Sequence, residues 1–131
     1  HPELEREPLL YAQQNHCPLR FAEEQVLGFD HAFLGGILLK KWRLPSGLED
    51  AIAYHHQPLL AEHPLEASMV HIADIVTNGL GMGTSGEHFV PLLLPGVWEG
   101  LGLEKEFLTH MVPQLDFQLK EIEVNFFGGV E

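Results

Sequence analysis

Apolar residues recur along the chain at helical intervals and nowhere alternate with polar ones for more than a few positions. Val, Ile and Thr together make 16 of 131 residues, too few and too scattered for strands. The chain reads as all-α. Leu4, Leu9, Leu10 and Tyr11 predict a first short helix broken at Pro8 or beginning there, and Asn15-His16-Cys17-Pro18 is a turn with Pro18 at the first position of the next helix. That helix runs to Leu27 and stops at Gly28. Asp30 is placed as the N-cap of a third, from His31 to about Trp42. Leu48, Ala51, Ile52 and His55 fall at i, i+3, i+4 and i+7, one face of a fourth helix that Pro58 ends, so His55 points where the apolar residues point. A fifth helix covers Leu65 to Asn78, with Ala67, Val70, Ala73 and Val76 on its apolar face and Asp74 on or beside it. Gly79 to Gly86, with four glycines, Thr84 and Ser85, reads as a mobile loop. A brief helix near Val97 to Glu99 and two more, about Glu104 to Met111 and Pro113 to Asn125, complete a bundle of six to eight helices.

A length of 131 residues is that of one domain, spanning 1–131. Nineteen Asp and Glu against seven Lys and Arg give a net charge of -12, which repels phosphate backbones and anionic lipid surfaces. The reading is therefore no nucleic acid and no membrane, and no apolar run approaches the roughly 20 residues of a membrane helix. Cys17 stands alone, which excludes an internal disulfide and any paired-thiolate zinc site and fits a cytoplasmic setting. The chain opens on His1, not Met, so a domain truncated at its N-terminus is expected. Nine His are the outstanding feature of the composition, since imidazole is the commonest metal ligand.

Helical spacing turns His31, His55, His56 and Asp74 inward or brings them to helix ends that can meet. Imidazole nitrogens with one carboxylate suit a divalent transition metal such as Fe, Mn, Zn or Ni. Without a metal, His55 becomes a core imidazole bonded to a carbonyl or to Asp74, with His56 the more exposed of the two. Asp74, being buried, needs a partner in a metal, a His or the Thr77 hydroxyl. The helix dipole predicts a neutral His31. His71 is as readily an intrahelical partner of Asp74 as a ligand, Trp42 reads as a core anchor, and His1, His16, His63, His88 and His110 read as solvated. Gly35 and Gly36 inside the third helix cost about 1 kcal/mol each relative to Ala, which predicts a close helix approach near the His cluster. The Gly79–Gly86 loop lacks the Lys or Arg of a phosphate cradle, and no Walker pattern is present.

The stretch Glu23-Glu24-Gln25-Val26-Leu27-Gly28-Phe29-Asp30-His31-Ala32-Phe33-Leu34-Gly35 resembles a segment of HDOD domains, output-domain relatives of HD-type phosphohydrolases. Leu38 to Pro45, Ala51 to Pro58 and Val70 to Ile75 resemble the next three motifs in order, so the likeness covers about Glu23 to Ile75. It implies an all-helical HD-domain-like bundle. In catalytic relatives, including the HD-GYP cyclic-di-GMP phosphodiesterases, the matching positions are metal ligands, here His31, His55, His56 and Asp74. Those relatives also carry an upstream His-Asp pair, and this chain contains no His-Asp dipeptide; Gln57-Pro58-Leu59-Leu60 stands in place of the Gly-Tyr-Pro loop. The expectation is a non-catalytic output module of a bacterial signalling protein, without catalytic residues, acting on a protein partner or a covalently linked sensory or receiver domain, with a homodimer as a further expected assembly. The other reading is a metal-dependent phosphohydrolase whose His-Asp pair lies upstream of residue 1.

Overall fold

A computed structural model describes residues 2–82 and 86–127. Among these residues there are seven α-helices, one 3-10 turn and no strand, so the chain is all-α. The order is α1 (Pro2–Asn15), α2 (Leu19–Leu27), α3 (His31–Lys41), α4 (Ser46–Ala53), the 3-10 turn (Pro58–Leu60), α5 (Pro64–Gly79), α6 (Val97–Gly100) and α7 (Phe107–Phe127). The chain forms two compact units, 1–101 with α1 to α6 and 102–131 with α7. No helix among the described residues is long and apolar enough to cross a membrane.

Local chemistry sets most helix ends. Gly28 stops α2 in the left-handed conformation at φ 81°, where a side chain is strained, and its N–H bonds the Glu24 carbonyl. Asp30 caps α3 by accepting from the Phe33 N–H at 2.8 Å, and the Arg20 guanidinium reaches the same carboxylate at 2.7 Å. Burial works to raise the Asp30 pKa, but the Phe33 N–H and Arg20 outweigh it and hold the carboxyl below its ordinary range. Pro18 is the N-cap of α2, not its first residue, and offers no side-chain cap. Glu87 supplies the missing acceptor across 68 residues of sequence, bonding the Leu19 N–H at 2.8 Å.

In the first unit α3 packs on α4, α4 on α5, α1 on α2, and α5 on the 3-10 turn and α6. The glycines of α3 make the tightest of these contacts. A Cβ on Gly36 would lie 2.7 Å from the Ala53 Cβ, and one on Gly35 2.5 Å from Ile52 Cγ2, as the close-approach reading expects. The core is built of small groups, with Ala22, Ala32, Ala51, Ala67, Ile72, Val76 and Val97 buried.

Several expectations are corrected. α1 runs through Pro8, which sacrifices one backbone hydrogen bond without ending the helix. α7 is one helix where two were expected, because Pro113 is likewise accommodated inside it. α4 ends at Ala53, so His55 and His56 lie in a turn beyond it, not on its face. On α5 the buried stripe is Ala67, Ser68, His71, Ile72 and Val76, whereas Ala73 is exposed, because α4 and the 3-10 turn pack against the side that carries Ser68 and His71. Trp42 is 62% exposed: α3 stops at Lys41, and Arg43, at φ 59°, turns the chain so that the indole stays outside the core. Of the Gly79–Gly86 loop, Gly83, Thr84 and Ser85 lie outside the described residues.

Candidate metal centre

The first turn of α3 and the turn after α4 meet because Gly35 and Gly36 let the two helices touch at backbone distance. That contact brings His31, His55 and His56 together, with one potential ligand atom from each lying within 4.8 Å of the others. The Nε2 of His31 is 3.3 Å from that of His55 and 3.0 Å from that of His56. The three rings are mutually close, with centroids 3.9 to 5.3 Å apart.

Partners on the far side of each ring decide what the facing nitrogens carry. His55 Nδ1 lies 2.7 Å from the Ile52 carbonyl, which can only accept, so the ring hydrogen sits on Nδ1 and Nε2 presents a lone pair. His31 Nδ1 lies 2.6 Å from Glu23 Oε2, and the His31 backbone N–H donates to that same oxygen at 3.0 Å. Neutral His31 therefore also turns a lone pair inward. Two lone pairs at 3.3 Å repel each other unless a cation lies between them.

Charge preferences agree with a single shared cation. The hydrogen bond to Glu23 holds the His31 pKa above the ordinary histidine value, against the opposing effect of burial. The carboxylate at 2.6 Å works against the helix dipole, which favours the neutral ring. Burial pushes His55 down. It also pushes His56 down, to about 3, helped by the neighbouring His55, His31 and Arg20.

The residues fit a divalent ion on the same grounds. Two imidazole nitrogens about 2.0–2.1 Å from a tetrahedral ion lie about 3.3 Å apart, which matches the spacing of His31 from its two neighbours. Asp74 stands outside this group of three. It lines the same cavity as His31 and His56, about 260 Å³ in volume, together with Leu19, Glu23, Asn78, Glu87 and Pro91. Its carboxylate accepts from Asn78 Nδ2 at 2.8 Å, a partner one helical turn on that was not among those expected. The Thr77 hydroxyl goes instead to the Ala73 and Asp74 carbonyls, as hydroxyls inside helices commonly do.

Two residues carry the site's geometry in roles that the sequence reading did not give them. Glu23 is one, although it opens the stretch that resembles HDOD domains; only a carboxylate preceding a capped His by eight residues across a glycine turn hints at it. His71 is the other, read as a partner of Asp74 or as a ligand, and it is neither. It is 3% exposed; its Nδ1–H donates to the His55 carbonyl at 2.7 Å and its Nε2 accepts from the Leu94 N–H at 3.3 Å. His71 thereby fixes the backbone of the paired histidines to α5 and to the extended segment before α6. His63, expected to be solvated, is half-buried and paired, its ring and backbone N–H both donating to Asp50.

No curated protein and no solved structure matches the chain. The HDOD domain family model matches residues 2–58, beginning earlier than the resembling motifs and ending before the segment of Asp74. The stretch from α1 through the paired histidines, which carries all three members of the imidazole cluster, is thus the part of the chain that is similar to the HDOD domain family.

Proposed function

We propose that this chain is a non-catalytic output module of a bacterial signalling protein that works by protein–protein contact, and that its imidazole cluster holds one divalent transition-metal ion as part of the scaffold. The observation that carries the interaction reading is α3. Its sequence, His31-Ala32-Phe33-Leu34-Gly35-Gly36-Ile37-Leu38-Leu39-Lys40-Lys41, is apolar on every side, yet Phe33, Leu34 and Ile37 are each half exposed or more and Trp42 extends the patch beyond the helix end. A helix apolar all round belongs in an interior, so its open face is suited to a second protein surface. A linked sensory or receiver domain, a separate partner or a homodimer contact are the occupants this chemistry accepts.

The metal-dependent phosphohydrolase reading draws support from the three facing imidazoles. When bound, such an ion supplies Lewis acidity to a phosphoryl oxygen and to water. The cavity beside the cluster favours the non-catalytic reading. Among the described residues it presents Glu23, Asp74 and Glu87 and no Lys or Arg, a lining that repels a phosphodiester and gives its transferring group no cationic clamp. At about 260 Å³ it also falls below the roughly 300–1,000 Å³ of sites that enclose drug-sized ligands, and a cyclic dinucleotide is at least that large.

The test uses the full-length protein carrying a photo-crosslinking residue at Ile37 in one version and at exposed Lys40 in another, with metal content measured by elemental analysis beside a His55→Ala variant. The expected result is crosslinking to protein from position 37 well above that from position 40, and a stoichiometric ion lost in the variant. Metal-dependent phosphodiester hydrolysis by the purified protein, abolished in His55→Ala, would overturn the non-catalytic reading.

A further inference from the structure

Histidine ligands gain affinity when their outer nitrogen is held by a carboxylate, which fixes the tautomer, orients the ring and makes the inner nitrogen more basic. Among the described residues, His31 is the one of the three clustered imidazoles with such a partner. Its outer nitrogen meets Glu23 Oε2 at 2.6 Å, while that of His55 meets a neutral carbonyl. Glu23 stands on α2, not on the helix it serves, and its side chain is only 13% exposed, so the contact is partly shielded from water. The same oxygen also accepts the His31 backbone N–H at 3.0 Å. One atom thus ties down both the peptide that begins α3 and the ring that hangs from it. The Gly28 turn, in its left-handed conformation, and the Asp30 cap return the chain so that a residue eight positions earlier can make both bonds.

From this geometry we infer that Glu23 is the positioning residue of the metal centre. It keeps the ring hydrogen of His31 on Nδ1, directs Nε2 at the other two imidazoles, and adds a negative charge behind the ligand that offsets part of the ion's charge. The inference rests on the proposal that the cluster binds a divalent ion, and adds to it that the affinity is set from α2, a helix that contributes no ligand of its own.

The test measures Co²⁺ binding by equilibrium dialysis and by the visible absorption of the bound ion, in the wild-type chain and in Glu23→Gln, Glu23→Leu and His31→Ala. Long-range ¹H–¹⁵N spectra of the metal-free proteins report which ring nitrogen of His31 carries the hydrogen. Glu23→Gln keeps an oxygen acceptor and removes the charge, so Co²⁺ binding weakens about 10- to 100-fold while His31 keeps its hydrogen on Nδ1. Glu23→Leu removes the acceptor, weakens binding further and releases the Nδ1 preference. Wild-type affinity for Co²⁺ in both Glu23 variants, with His31→Ala impaired, would overturn the inference and leave the metal reading intact. If the wild-type chain takes up no Co²⁺, the metal reading falls, and the spectra then judge Glu23 by itself. A hydrogen on His31 Nε2 in the wild type overturns the positioning role; one on Nδ1 that is lost in Glu23→Leu upholds it.

Discussion

Replacing Gly36 by Ala tests the contact on which the whole site depends. The added Cβ would lie 2.7 Å from the Ala53 Cβ and 3.4 Å from its Cα, and Ala53 has no rotamer by which to move aside. Relief requires α3 and α4 to separate by roughly 1 Å, and overpacking of that kind costs about 1–3 kcal/mol. Against this, Ala is the better helix former by about 1 kcal/mol. The overlap is between backbone-anchored atoms, which puts the overpacking cost in the upper part of its range, so Gly36→Ala is expected to destabilise by about 1–2 kcal/mol. Urea unfolding followed by circular dichroism measures this, and the midpoint temperature should fall by about 4–8 °C per kcal/mol for a unit of this size. Gly100→Ala is the control: nothing lies within 4 Å of its Cβ position, so the same substitution in α6 should be neutral or stabilising. Ala53 stands two residues before His55, so forcing the helices apart also separates the imidazoles, and Co²⁺ affinity should fall in Gly36→Ala and hold in Gly100→Ala. A Gly36→Ala protein as stable as wild type or more so would refute the close approach and with it the account of how the cluster assembles.

Three further outcomes follow from individual contacts. His71→Leu leaves the His55 carbonyl and the Leu94 N–H without their partner, and at about 1–3 kcal/mol for each buried group the expected loss is about 2–4 kcal/mol, with faster amide exchange at Leu94; unchanged stability would show that His71 does not bridge them. Asp30→Ala removes the α3 cap and the Arg20 contact and should cost about 1–2 kcal/mol by chemical denaturation, whereas Asp30→Asn, which keeps a capping oxygen, should recover most of it. His63 and Asp50 give a pH signature. The hydrogen bond to Asp50 holds His63 above its ordinary pKa of 6.5, with Asp50, Glu62 and Glu66 as its acidic surroundings. The His63 bonds in turn hold Asp50 below 3.8, against the effect of burial. A raised histidine stabilises fully below its unfolded pKa and ceases to as pH rises through the folded value; a depressed carboxyl stabilises above its unfolded pKa. The pair therefore contributes most between about pH 4 and 6.5. His63→Gln should lower the melting temperature more at pH 5.5 than at pH 8, and equal losses at the two would refute the pairing.

Signals that act within one turn of helix were legible from the residues alone. Asp30 as a cap, Gly28 as a stop and an all-helical chain depend on contacts a few residues long, and the structure reproduces them. Gly35 and Gly36 were legible for a different reason: two poor helix formers inside a helix imply something pressed against them, although not what. Prolines misled, because Pro8 and Pro113 remove one hydrogen bond each and a longer helix can absorb that loss.

The sequence by itself determined the element types and most of their ends, and offered His31, His55, His56 and Asp74 as residues whose chemistry suits a shared site. Only tertiary structure decided that the three imidazoles meet, since His31 and His55 are 24 residues apart and their distance is set by how closely α3 rests on α4. It also decided which groups stand behind them. Glu23 behind His31, Glu87 at the start of α2, and His71 between the His55 turn and Leu94 each join positions 8 to 68 residues apart. Periodicity reports which face of a helix is apolar, but not which neighbour that face meets. The Asp74 carboxylate, bonded to Asn78 at the cavity wall instead of to an imidazole, shows the difference: its helix position was readable, and its partner depended on the rotation of α5 against α4.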